Sequence, residues 1–415
     1  MSKKLYTFVA VILLFSANIY GGGFQINEHG AKAMGMGGAF TGLANDASAV
    51  YWNAAGLTRL TGTHFLLGTA LIGPSSTFRG VTPDTDLYHM QSQTFFPSHF
   101  FASHSVMDNL SVGLGFSTPF GLGTKWDEDW IGKYLAVETE LRTFTLTPVV
   151  AFSILDNLSI SGGFIYSFAD VTITRKNSQA PFEGDAFVNL EGDEKSAFGY
   201  TAGLMYQPFD FLSIGASFHS EVDYEFEGTA TTTGAQQLID AGLLPNGDVT
   251  AELTTPMNIA VGIALFITDE FTLTADYQYV GWSSYDTLKV NFVDPNFTDL
   301  ASPREYDDSF IARLGAGYKI SDELELLGGI YYDKNPVDPD KLNPSLPDSD
   351  RLGFSLGVEG RITENFTVSA SYLFIRSEEV TVTNSQEIYT AGDSRFNGTY
   401  NSFANLLSFS FQYSL

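Results

Sequence analysis

The residues able to do chemistry are few and poorly spaced for catalysis. His29, His64, His89, His99, His104 and His219 follow no metal-ligand spacing, and no serine sits in a nucleophile motif. Cysteine is absent, which removes thiolate metal sites and disulfides. The close acids Asp338 and Asp340, and Asp348 and Asp350, read as carboxylates that order a loop. No enzymatic activity, metal or cofactor is implied. What the sequence does offer is apolar surface in unusual places. Trp126, Trp130, Tyr134 and Val137 recur at helical spacing, with Leu135 beside them, in an otherwise polar connection. Leu238, Ile239, Leu243 and Leu244 read as a second short helix. Apolar faces on loops need something to cover them, either each other or an apolar ligand.

The elements that position these loops are strands. The chain has 415 residues, 14% of them aromatic, with 35 Phe, 20 Tyr and 40 Gly, a profile that suits strands and turns. Lys3 and Lys4, the apolar run Leu5 to Phe15 and the small residues after it form a secretory leader over residues 1–21. That run is too short to cross a bilayer, which takes about 20 residues as a helix. Beyond it, six tight-turn signals recur: Asp108-Asn109, Asp156-Asn157, Asp210, Asp269-Glu270, Asp322-Glu323 and Glu364-Asn365. Asp and Asn favour such turns because their side chains bond nearby backbone. Each is followed by alternating residues, such as Phe366, Val368, Ala370, Tyr372 and Phe374 against Thr367, Ser369 and Ser371. Between successive tight turns lie a strand, a long polar loop and another strand. Short turns on one side and long loops on the other are the asymmetry of an outer-membrane barrel, with apolar residues toward lipid. Six turns pair twelve strands, and one more at each end makes fourteen. The strands are expected to start near Thr63, Phe95, Leu110, Leu141, Leu158, Ser196, Leu212, Val249, Phe271, Asp307, Leu324, Arg351, Phe366 and Ala404.

The fold class is therefore an all-β membrane protein, a 14-stranded antiparallel barrel over residues 61–415 in the outer membrane of a Gram-negative bacterium. The formal charge of −27 makes nucleic acid a poor partner. Its acidic runs read as solvated loops, with contact to outer-membrane lipid and lipopolysaccharide through divalent cations as the sharper alternative. Residues 22–60 are too few for their own core and too rich in Gly and Ala for a free tail, so a container must surround them. An even strand count puts both chain ends on one side, which lets this segment fold back as a plug. Gly113 and Gly115 inside the third strand mark either a kink or room for that plug.

Several stretches resemble the FadL-type long-chain fatty acid transporters: Gly23-Phe24-Gln25, Asn45-Asp46-Ala47-Ser48 leading to Asn53-Ala54-Ala55-Gly56-Leu57, Pro119-Phe120-Gly121-Leu122, Arg313-Leu314-Gly315, and Leu346-Pro347-Asp348-Ser349-Asp350-Arg351. The resemblance runs in order along the mature chain. It implies a monomer that passively imports hydrophobic compounds, most of all long-chain fatty acids, with aromatic or alkane hydrocarbons as the alternative cargo. A structural or adhesive barrel with a permanent plug is the reading from another class. The resemblance further implies a hatch containing Phe24, Asn53, Ala54 and Ala55, where family members carry Asn-Pro-Ala. It implies an external groove built from Trp126, Trp130, Tyr134, Leu135, Leu238 and Leu243, and a lateral exit at the kinked third strand. Arg175 falls where the family places a binding-pocket arginine, and Arg304 near a second basic residue, both suited to a carboxylate.

Overall fold

A computed structural model describes residues 22–83, 85–178, 184–240, 244–297, 299–390 and 394–415. The leader expected over residues 1–21 lies outside them. Fourteen strands form one closed antiparallel ring: β1 (Thr63–Gly80), β2 (Ser98–Met107), β3 (Leu110–Ser117), β4 (Glu138–Leu155), β5 (Leu158–Ser178), β6 (Asp185–Phe209), β7 (Leu212–His219), β8 (Asn258–Phe266), β9 (Phe271–Val280), β10 (Ser309–Ser321), β11 (Leu324–Asp333), β12 (Arg351–Arg361), β13 (Phe366–Ser377) and β14 (Gly398–Ser414). The ring closes where β14 pairs β1, in register from His64 opposite Ser414 to Gly80 opposite Gly398.

The wall is apolar outside and polar inside, the reverse of a water-soluble sheet. On β14, Leu407, Phe409, Phe411 and Tyr413 are 46, 40, 47 and 46% exposed, whereas Ser408 and Ser410 are 0 and 3% exposed. A band of half-exposed aromatic and aliphatic side chains around a closed ring is stable only against hydrocarbon.

All six tight turns fall where their Asp, Asn and Glu residues placed them, and every strand leaving one begins at the expected residue. The other ends are less regular. Val249 does not begin a wall strand: it belongs to Gly247–Thr255, which pairs with Val222–Thr233 in a sheet standing above the wall, and β8 starts at Asn258. Pro256 separates the two runs, since it has no N–H to give a ladder.

Residues 22–62 lie inside the ring. Ala31–Gly35 (α1) and Ala49–Trp52 (α2) are short helices, followed by a 3-10 turn over Ala54–Arg59. Ala31, Ala33, Met36, Phe40, Ala47 and Ala49 are fully buried. The wall makes room with glycines. A Cβ at Gly113 or Gly115 would reach Val50 at 2.8 or 2.9 Å, one at Gly262 would reach Gly42 N at 2.9 Å, and one at Gly315 would reach the Met36 carbonyl at 2.5 Å. At Gly215 and Gly329 it would collide with the Thr41 carbonyl and the Gly37 amide. Real Cβ contacts do not come so close, so the segment's backbone rests directly on the wall's backbone.

Candidate functional site

The site grows from an interruption in the third strand. β3 pairs β4 without a break from Leu110 opposite Phe152 to Ser117 opposite Thr145. Thr118 and Pro119 then leave the ladder, Phe120 keeps only its bonds to Thr143 (Thr143 N donates to the Phe120 carbonyl at 3.2 Å), and regular pairing resumes at Gly121 opposite Arg142. The register has slipped by one residue, the signature of a bulge. The ladder is unbroken across Gly113 and Gly115 on both sides, so the kink expected there is three residues further on, and those glycines instead admit Val50. Pro119 explains the place, because it offers no N–H to the wall and restricts the residue before it. The N-terminal segment takes up what the wall lost: Ile26 N donates to the Pro119 carbonyl at 2.8 Å, and Gly121 N donates to the Phe24 carbonyl at 3.0 Å.

The neighbouring strand is short at the same level. β2 begins only at Ser98, and its last pair with β3 is Phe100 opposite Phe116. Backbone hydrogen bonding between the two stretches returns at Gln91 N to the Lys125 carbonyl, 2.7 Å. Between these points lies a cavity of about 610 Å³. It is lined by inward residues, among them Ile72, Phe120 and Leu141, and by the outward residues Phe144 and Phe403. Phe144 belongs to the outer face, where it stacks between Phe116 and Phe168 at 6.2 and 5.3 Å. The cavity therefore draws its lining from both faces of the wall at this level. Phe95 stands in this window, its ring filling the place a side chain on Gly123 would need.

The charged floor is formed by Asp333, Asp348 and Arg351 beneath Gly23 and Phe24. Arg351 Nη2 donates to Asp348 Oδ1 at 2.5 Å and to the Gly23 carbonyl at 2.6 Å. Phe24 packs edge-on against Trp282, Tyr285 and Phe120 at 4.7, 5.6 and 6.1 Å. Asn53 ties the segment to the wall: its Nδ2 donates to the carbonyls of Thr41 and Leu204, both at 3.0 Å, while its Oδ1 accepts from Ala55 N at 3.3 Å. Ala54 and Ala55 are buried beside it. The family's proline is therefore not needed for this turn.

The external residues are arranged differently from expectation. Trp126 to Val137 form no helix but a series of turns, closed by Trp126 N donating to the Val137 carbonyl at 2.8 Å. Trp126 and Trp130 stack at 4.3 Å and are buried with Phe78 and Phe396. Their indole N–H groups donate to the Pro344 and Ala136 carbonyls at 3.0 and 2.8 Å. They are core residues of the loop cap. Tyr134 donates to Asp185 Oδ1 at 2.9 Å, and Leu135 packs against the cap's core. Leu238 does lie on a helix, Gln236–Asp240, outside that aromatic cluster; Leu243 falls outside the described residues.

Neither Arg175 nor Arg304 lines the cavity. They converge instead on one internal carboxylate, Glu387, 4.0 Å from Arg304 and the charged neighbour of Arg175. Burial works against the Arg304 charge, but Tyr285, Tyr306 and Glu387 outweigh it and hold the guanidinium above its usual value. The two cavity arginines that sequence reasoning missed as site residues are Arg142 and Arg351; only the place of Arg351 in the Leu346-to-Arg351 motif gave a signal. The paired acids order loops: Asp338 Oδ1 accepts from Asp340 N at 2.9 Å, and Asp350 accepts from Asn335 N and Tyr332 Oη at 3.2 and 2.9 Å.

Residues 12–415 match the family model described as outer membrane protein transport protein (OMPP1/FadL/TodX). A long-chain fatty acid transport protein of Escherichia coli is 24% identical, with 92% of this chain and 94% of that protein covered. Among solved structures, a Pseudomonas aeruginosa FadL homologue superposes with a TM-score of 0.85 at 20% identity, covering 95% of this chain and all of that one. The Ralstonia pickettii toluene transporter TbuX gives 0.72 at 18% identity over 96 and 99%. These structural likenesses carry the fold.

Proposed function

Because the chain belongs to the outer membrane protein transport family (OMPP1/FadL/TodX), whose members carry hydrophobic compounds across the outer membrane of Gram-negative bacteria and are not enzymes, we propose that it imports long-chain fatty acids through the wall of its barrel. The observation that carries this is the cavity lined by Leu141 from inside and Phe144 from outside. Its volume of about 610 Å³ suits a single acyl chain, within the range of roughly 300–1,000 Å³ usual for small-ligand sites. Each methylene buried there gains about 0.8 kcal/mol over water, so entry needs no other energy source. Residues 22–60 act as the hatch that denies cargo a straight path down the lumen, and the window between Phe95 and Thr118–Gly123 is the exit into the membrane. Residues 1–21 are the export leader.

The register slip supplies the test. Deleting Pro119 brings Gly121 and the following residues into line with the Ser117–Thr145 pairing, so β3 can run on unbroken. Cells with this deletion should take up radiolabelled oleate no faster than cells lacking the protein, while the barrel still shifts on heating in a gel. Unchanged uptake would sink the lateral route. One observation favours a neutral cargo: Arg142 and Arg351, the two arginines lining the cavity, are already paired with Asp170 at 2.7 Å and Asp348 at 2.5 Å. If toluene uptake falls on deleting the gene and oleate uptake does not, the cargo is an aromatic hydrocarbon.

A further inference from the structure

The cavity floor carries a charge imbalance that the described residues leave open. Asp333 ends β11 and is 4% exposed, and its Oδ1 has no hydrogen-bond partner among the described residues. Asp348, 3% exposed, is engaged: it accepts from Arg351 at 2.5 Å and from Gly23 N at 2.6 Å. Glu28 is buried in the same cluster. Arg313, the second guanidinium nearby, acts on its cross-strand partner Asp276 as well as on Asp333 and packs over Trp52 at 5.9 Å, its Nη2 unbonded among the described residues. Four carboxylates thus face two guanidiniums. A buried carboxylate with an unmet oxygen is costly unless a donor, best a cation, completes it.

The backbone beside the unmet oxygen is Gly22. A Cβ there would overlap both carboxylate oxygens of Asp333, so only glycine can approach so closely. The next two residues are pinned. Gly23 donates to Asp348 and accepts from Arg351, and the Phe24 carbonyl accepts from Gly121 N. Whatever extends from Gly22 N is therefore delivered to the floor of the cavity.

We infer that the chain is cut between residues 21 and 22 and that the floor is a binding site for a primary ammonium, the chain's own new N-terminus, held by Asp333. The inference rests on reading residues 1–21 as a removable leader. Hydrolysis of that peptide bond by a leader peptidase consumes one water, leaves a carboxylate on the released leader and frees an amine on Gly22. The amine takes a proton and brings the missing positive charge, with up to three donors in place of one amide N–H. Cleavage one residue later would put the amine on Gly23, whose N already donates to Asp348 Oδ2, and would leave Asp333 unmet. Processing and closure of the floor are then one event: the unprocessed chain cannot complete the cluster.

The test begins with the protein extracted from outer membranes, its N-terminus read by intact mass and sequential degradation. Gly22 is expected as the first residue. The amine is then acylated at neutral pH in the folded barrel and in the urea-unfolded chain. A paired ammonium gives up its proton less readily, so the folded amine should react about tenfold more slowly. Asp333→Asn should return it toward the unfolded rate. A terminus at any other residue, a folded amine as reactive as the unfolded one, or an Asp333→Asn barrel with no change each overturns the inference. Should Asp333→Asn fail to fold, the wild-type comparison still decides. No readout involves cargo, so a failed uptake experiment leaves this result untouched.

Discussion

Asn53 shows how a single side chain can tie the enclosed N-terminal segment to the wall. Its amide spans the segment's own Thr41 carbonyl and the Leu204 carbonyl of β6, and it is 1% exposed. Asn53→Ala takes the side-chain donor from the Thr41 and Leu204 carbonyls, and a buried carbonyl left unmet costs about 1–3 kcal/mol. Amide exchange over residues 41–57 should speed up while the wall's exchange stays as it was. Equal acceleration in the wall would mean that Asn53 stabilises the whole barrel and does not specifically dock the enclosed segment. The glycines opposite it act by absence. Gly329→Ala would push on the Gly37 backbone amide, and overpacking of this kind costs about 1–3 kcal/mol. The sequence reading recognised Gly113 and Gly115 as possible clearances but missed Gly215, Gly262 and Gly329, because which strand residues face the lumen beside the enclosed segment depends on register.

Element by element, legibility followed punctuation. Asp and Asn turns anchored one end of each strand pair, so Leu110, Leu158, Leu212, Phe271, Leu324 and Phe366 were readable as starts. The loop-side ends carry no such signal, and wall strands such as β6 run on into the cap, where Val188 pairs Thr232. The Trp126–Val137 spacing misled for a geometric reason. Lys125 pairs Glu138, so the segment's two ends meet, whereas a 12-residue helix would hold them about 18 Å apart. The loop over residues 334–350 has a titration of its own. Burial, with Glu378 and Asp348 nearby, pushes the Asp350 carboxyl up to about 7. Its folded value lies above the unfolded one, near 3.9, so the folded loop binds the proton more tightly. Docking should therefore weaken as pH rises through 7 and tighten as pH falls from 7 toward 4. Limited proteolysis in this loop should be faster at pH 8 than at pH 6, and Asp350→Asn should flatten the difference. A loop cleaved equally at both values would show that Asp350 does not govern its docking.

For the whole molecule, the wall and what it encloses are held by different bonds. Every wall strand pairs with its two neighbours, and the ring closes on itself without help from residues 22–60. The enclosed segment adds side-chain ties: Lys32 to Glu325 and Glu359 at 3.0 and 2.7 Å, and the Phe40 and Thr41 amides to Asp276 at 2.9 and 2.7 Å. Removing one partner of a dry ion pair costs several kcal/mol, but removing the whole segment admits water, which solvates Asp276, Glu325 and Glu359 in its place. A barrel lacking residues 22–60 should therefore still fold and close. Its lumen, lined by serine, threonine, glycine and acids, should then pass small polar solutes, as wide barrels with polar interiors do. In planar bilayers the truncated protein should conduct steadily, with cations favoured by the acidic lining, where the full protein is nearly silent. Silence in both would mean that the loop cap, with Trp126 and Trp130 at its core, seals the lumen without the segment.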